Sequence, residues 1–167
     1  IGFQTVDFPL IINGNGDPFN STSINSGYGN VLASGWQYLP QLTQGYSVKD
    51  VVAFQNLLNS KPRTEIDEEN KNYALEAEKT ATPELIRNVI TRFNSIISNT
   101  ENLELVLLMG GGTIPLMERT DYREQLVESL KLYRSSALVI PLDKEFATYA
   151  NLIGLEILAH AMVAKYK

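Results

Sequence analysis

Apolar positions along the chain follow two spacings, and each change of spacing marks an element. Residues 2–13 mix β-branched and aromatic side chains in the manner of a strand. Residues 13–18, Asn-Gly-Asn-Gly-Asp-Pro, are turn chemistry, because Asn and Gly tolerate positive φ and Pro starts the next segment. With a second, shorter strand over 19–25 they predict a β-hairpin. Asn30 is placed to cap a helix carrying Val31, Leu32, Trp36 and Leu39, and Ser47 to cap one over 48–58. Residues 61–72 hold one Ile among many charges and read as a solvated loop. Thr82-Pro83-Glu84 predicts a helix start, followed by Leu85, Ile86, Val89, Ile90, Phe93, Ile96 and Ile97 at helical spacing. Six of the seven residues 103–109 are apolar, which predicts a strand buried on both faces of a parallel sheet. Three glycines end it, and helical spacing resumes over 116–133. A short buried strand is expected over 137–141 and a last helix over 149–165. The order is β-β-α, an insertion, then α-β-α-β-α, an α/β chain.

Composition narrows the class. One domain is the expectation for 167 residues, with two joined lobes as the alternative, and a chain this long buries a core without staples. The hydrophobic and charged fractions are ordinary for a globular protein. The net charge of -5 argues against a nucleic-acid surface, which needs a basic footprint. The absence of cysteine excludes disulfides, thiol catalysis and cysteine-ligated metal, and fits a cytoplasmic setting. No apolar run reaches the roughly 18 residues of a spanning helix. The chain opens at Ile1 in what reads as the middle of an element, so it is expected to be a fragment.

The chemistry sits in glycine-bearing loops. Gly110, Gly111 and Gly112 are more glycines than a tight turn needs, and a backbone without Cβ lets a ligand lie against it. Thr113 opens the helix that follows, a position where α/β proteins place ligands. Gly2, Phe3, Gln4 and Thr5 form either an anion-binding nest of N–H groups or the plain end of a hairpin. Gly27 and Gly29 stand at a strand-to-helix turn, but Leu32 occupies the third glycine position of a dinucleotide fingerprint, which is rejected. No Gly-Lys-Ser/Thr occurs, so P-loop chemistry is absent as well. His160 is the only histidine, which excludes a Ser-His-Asp triad and histidine-rich metal sites; among Ala159, Ala161 and Met162 it reads as a surface or packing residue. Trp36 and the eight tyrosines read as core.

Together these residues resemble the C-terminal half of the actin, Hsp70 and sugar-kinase superfamily. Its second phosphate loop has the form Asp-x-Gly-x-x-Thr-x-Asp, and Gly2, Thr5 and Asp7 match every position after the leading Asp, which would sit before Ile1. Its adenosine motif, an apolar strand ending in glycines before a helix, matches residues 106–116. Its closing segment is similar to residues 145–154, where Ala150-Asn151 precedes Gly154. Gly27 falls where these proteins bring backbone near a ribose. Residues 46–80 lie where the family inserts a small outer subdomain.

The resemblance implies a ribonuclease-H-like actin fold half, a β-hairpin and mixed sheet flanked by helices. Residues 1–45 and 81–167 would form one wall of the nucleotide cleft and 46–80 the inserted subdomain. It implies ATP or ADP with Mg²⁺ as ligands, the metal bound mainly by the missing half. Gly2, Phe3, Gln4 and Thr5 would face the phosphates. Gly110, Gly111, Gly112 and Thr113 would flank adenosine, and Gly27 the ribose. Asp7 is assigned to hairpin structure, and no catalytic or metal-ligating residue is named. Compact size and the triple glycine are most similar to plasmid-segregation actins of the ParM or StbA type. The implied partners are copies of itself in a filament, its own N-terminal half, and an adaptor protein that makes the DNA contact, with no membrane. A small-molecule kinase of the same superfamily and a non-catalytic actin-fold scaffold are the alternatives.

Overall fold

The computed structural model describes residues 1–100, 103–143, 145, 146 and 149. It begins with β1 (Val6–Ile12) and β2 (Asn15–Ile24), an antiparallel hairpin in which Val6 faces Ile24 and Ile12 faces Asn15. The turn is shorter than expected. Asn13 and Gly14, both at positive φ (50° and 78°), form a two-residue primed turn that matches the twist of the flanking strands. Residues 15–18, expected in the turn, belong to β2. The register shifts between Phe8 and Leu10, at Pro9, where a ladder donor is missing. There the Leu10 N–H turns to Ser21 Oγ at 2.9 Å.

Three helices follow, α1 (Tyr28–Leu42), α2 (Val51–Asn59) and α3 (Glu65–Ile97). Their starts correct the caps expected from sequence. Gly27, not Asn30, is the cap of α1; Asn30 lies three residues in and accepts the Gly27 N–H at 3.0 Å. Asp50, not Ser47, caps α2 by accepting the Ala53 N–H at 2.8 Å. The polar run 61–72 is no loop beyond its first few residues. Thr64 and Asp67 form a reciprocal capping box, each side chain accepting the other's N–H at 3.1 Å, and three acids in the first turn complement the helix dipole.

From there α3 runs unbroken through Thr82-Pro83, the expected start, and past residue 80, where the inserted segment was expected to end. Pro83 lacks the N–H that would serve the Lys79 carbonyl. The residue stays in the helix because its neighbours are anchored: Ala81, Thr82, Leu85 and Ile86 are buried, and the Thr82 hydroxyl donates to the Glu78 carbonyl at 2.8 Å. The buried stripe of α3 begins at Ala74 and continues through Ala77, Glu78 and Ala81 to Phe93 and Ile97. Small residues in its first half let α1 approach closely. At Gly35 of α1, an added Cβ would lie 2.9 Å from the Phe54 ring.

The last described elements are β3 (Leu105–Leu108), α4 (Thr113–Arg119), α5 (Tyr122–Leu132) and β4 (Leu138–Pro141). β3 and β4 pair in parallel, Leu105 beside Leu138 and Leu108 beside Pro141. Only one face of this pair enters the core, through Leu108 and Val139. Leu105, Leu107, Leu138 and Ile140 are exposed, so among the described residues β3, expected to be buried on both faces, and β4, expected to be a short buried strand, are each covered on one. Nor do the strands join one mixed sheet. Among the described residues the hairpin and the parallel pair are separate two-stranded sheets. The expected last helix and His160 lie outside the described residues, as does most of segment 145–154. No described helix is long and apolar enough to cross a membrane.

Replacing Pro83 by Ala restores a helix donor at an exposed position. It is expected to raise stability to urea unfolding by about 1–2 kcal/mol, the gain in helix hydrogen bonding and relieved clash exceeding the entropy returned to the unfolded chain.

Candidate functional site

Three stretches of backbone meet at one point, and they are the three that the glycines mark. The carbonyl of Ile1 accepts the Gly112 N–H at 3.1 Å, and the Ile1 nitrogen donates to the Met109 carbonyl. The Gly2 carbonyl accepts from Tyr28 N–H at 3.0 Å, and the Phe3 carbonyl from Gly29 N–H at 2.6 Å. Segment 1–5 is therefore clamped between the start of α1 and the loop leaving β3. This seam brings together Gly2, Phe3, Gln4, Thr5, Gly27, Gly110, Gly111, Gly112 and Thr113.

Their parts differ. A Cβ on Gly27 would lie 2.5 Å from the Phe3 carbonyl oxygen, and one on Gly112 would lie 2.7 Å from Tyr28 Cβ. Gly110 has a φ of 94° and its Cβ would fall 2.4 Å from the Ile1 carbonyl oxygen. These three glycines are packing positions. At Gly111 a Cβ would meet nothing within 4 Å, so its face is open. Thr113 is buried, its N–H on the Gly110 carbonyl at 2.9 Å and its hydroxyl on the Met109 carbonyl at 2.8 Å, so it closes the turn. The Gly2 N–H turns inward to the Thr5 carbonyl at 2.9 Å. The N–H groups of Phe3, Gln4, Gly110 and Gly111 have no protein acceptor among the described residues. They are the donors a bound anion can use. Asp7 is held in the hairpin, accepting from Ser23 Oγ at 2.7 Å and Thr5 Oγ1 at 3.3 Å.

Beside this seam lies a groove of about 370 Å³ between α3 and α4, with Tyr28, Lys79, Thr82, Pro115 and Arg119 among its walls. At its base is Glu78, 3% exposed. Its Oε1 accepts from the Tyr28 hydroxyl and its Oε2 from Arg119 Nη1. Burial raises the Glu78 carboxyl above its ordinary value of 4.5, against the opposing hydrogen bond and charge of Arg119. Sequence reading missed Glu78, Arg119 and the groove. Glu78 sits 50 and 41 positions from its two partners, so no local spacing signals the cluster. Its one sequence trace is a carboxylate on the helix face that continues into Ala81 and Leu85.

Comparison of the sequence with protein-family models and with curated proteins gives no match. The fold has a solved counterpart. The chain superimposes on the crystal structure of Ta0583, an archaeal actin homolog, with a TM-score of 0.57 and 17% sequence identity over 97% of the chain. It has an actin-like fold and spans 46% of that protein's length.

Two outcomes separate the roles assigned here. Gly27→Ala is expected to destabilise by about 1–3 kcal/mol, since a rigid carbonyl must move, whereas Gly111→Ala stays within about 0.5 kcal/mol in the same urea unfolding measurement. Glu78 gives a pH signature. Its folded-state value lies above its unfolded value, so between the two the folded protein holds a proton that the unfolded chain has released. Its contribution to stability is complete below about 4.5 and is lost as pH rises through the raised value. Relative to Glu78→Gln, which does not titrate, the parent protein is expected to lose stability over that window and to level off above it. Parallel pH-stability curves would contradict the assignment.

Proposed function

We propose that the chain forms one wall of the nucleotide cleft of an actin-like ATPase. The observation that carries this reading is the glycine seam: three loops clamped backbone to backbone, with an open face at Gly111 and four N–H groups, of Phe3, Gln4, Gly110 and Gly111, that have no protein acceptor among the described residues. In an actin-like fold, such a face suits a ligand with a flat base and a polyanionic tail. On this reading Phe3 and Gln4, held in place by Gly2 and Thr5, donate their N–H groups to phosphate oxygens. The backbone of Gly110 and Gly111 lies against adenosine, with Gly112 and Thr113 fixing its course and Gly27 near the ribose. The groove beyond Pro115 is within the size of small-molecule sites and offers room for the base.

Bound ATP or ADP would bring Mg²⁺, which takes few protein ligands and mostly phosphate and water oxygens. Among the described residues no three His, Cys, Asp or Glu side chains are grouped to hold a metal. Its protein ligands, and the group that activates water, are assigned to the N-terminal half, because phosphoryl transfer needs charge stabilisation from both sides of the nucleotide. The small outer subdomain proposed over residues 46–80 shares α3 with the wall, since that helix runs through residue 80. The whole protein is read as a cytoplasmic filament-former of the plasmid-segregation type that reaches DNA through an adaptor, in keeping with its negative charge.

Titration with fluorescent ATP, Mg²⁺ added last, tests the wall. The chain is expected to bind, and Gly111→Val, which fills the open face without disturbing the seam, to weaken binding at least about tenfold. A polypeptide restored with the preceding half that fails to bind ATP would overturn the ATPase reading. ATP-dependent light scattering by that polypeptide tests the filament.

A further inference from the structure

We infer that Glu78 is a positioning residue that sets the seam between Tyr28 and Gly112, next in sequence to the open face of Gly111, by tying the first residue of α1 to the last residue of α4 through one carboxylate. It rests on the nucleotide reading only for what the open face holds. Tyr28 begins α1, and it touches the seam twice: its N–H is on the Gly2 carbonyl, and its Cβ lies where a Gly112 side chain would go. Its hydroxyl reaches back to Glu78. Arg119 ends α4, the helix that starts where the glycine loop stops, and its guanidinium reaches the other oxygen of the same carboxylate. The two walls beside the glycine loop, α1 packed on Gly112 and α4 following it, are thus tied through one group that does not touch the open face of Gly111, where a Cβ would meet nothing within 4 Å.

A carboxylate suits this task where an apolar side chain does not. Its two oxygens lie a fixed distance apart and each takes one donor, so the bonds set orientation as well as proximity. The backbone around it leaves no slack. The amide nitrogen of Glu78 lies 3.4 Å from where a Cβ on Gly35 would stand, and the Thr82 hydroxyl holds its carbonyl. Glu78 therefore transmits the position of α3 to both walls.

Amide hydrogen exchange on the nucleotide-free chain reads this directly, through the Gly112 and Tyr28 N–H groups that close the seam. Glu78→Ala is expected to speed their exchange at least about tenfold more than that of the slowest core amides, the size of effect seen for groups sharing one hydrogen-bond network. Arg119→Met is expected to act at Gly112 in the same way. Glu78→Gln, whose amide can accept from Arg119 and donate to Tyr28, is expected to return both to within about threefold of the parent. Equal acceleration of seam and core amides in both Glu78→Ala and Arg119→Met would show a purely structural group and overturn the inference.

Fluorescent ATP supplies the second readout, with affinity expected to fall about tenfold in Glu78→Ala and to recover in Glu78→Gln. ATP binding that is unchanged in Glu78→Ala overturns the positioning role. Selective opening of the seam in a protein that shows no ATP binding even with its other half restored supports the positioning role and overturns the nucleotide reading.

Discussion

Backbone bonds backbone where the Ile1 carbonyl takes the Gly112 N–H and the Gly2 carbonyl takes the Tyr28 N–H, and the rest of the architecture depends on that contact. Among the described residues the hairpin and the parallel pair share no ladder; the Ile1–Met109 and Gly112–Ile1 hydrogen bonds link the segment before β1 to the loop after β3. α1 begins at the same place because Gly29 and Tyr28 spend their N–H groups on the Phe3 and Gly2 carbonyls. Helix-start donors are normally left over. Here they are used to fasten one segment to another, and this requires glycine at positions where any Cβ would strike a carbonyl.

Behind the seam, packing of α1 against α3 follows the same economy of size. Alanine at 74, 77 and 81 and glycine at 35 bring the helices close, and Phe54 of α2 fills the space that remains. In so tight a region a buried carboxylate must be met by donors or it destabilises the fold, because an unpaired charge has neither water nor a partner. Tyr28 and Arg119 come from different helices, so satisfying Glu78 also fixes their relative placement.

The sequence made legible whatever has a local cause. Asn13-Gly14 turned the hairpin, the β-branched runs marked the strands, and the glycine-bearing loops did converge. α3 was read only from residue 82 onward because its buried residues before that point are three alanines and Glu78, which leave no apolar rhythm. Its outer face is charged because it is exposed, and a charged face looks like a loop when its inner face is silent. Pro83 then supplied a false boundary, since its usual meaning gave way to the anchoring of Leu85 and Ile86 in the core. Asn30 was mistaken for a cap because the cap donor and its acceptor had exchanged places. The Glu78 cluster depends on contacts between distant segments, and distance along the chain conceals it.

A wall built of main chain has a further consequence. At 17% identity the actin-like fold persists across 97% of this chain, which is intelligible if its key contacts are carbonyls, N–H groups and the absence of side chains. Such contacts tolerate almost any sequence change elsewhere. On the proposed reading, the same feature limits what the wall recognises. Unpaired N–H groups respond to negative charge, and an open glycine face responds to flatness; neither distinguishes one base from another. On the proposed reading, selectivity falls to side chains of the neighbouring groove, where Lys79 and Thr82 stand on α3 and Arg119 faces them from α4. Arg119 is 29% exposed there while it holds Glu78, so the side chain that meets this buried carboxylate is also one that a ligand in the groove would meet. Recognition and positioning then share one guanidinium, and a ligand that drew Arg119 toward itself would loosen the tie on which its own site rests.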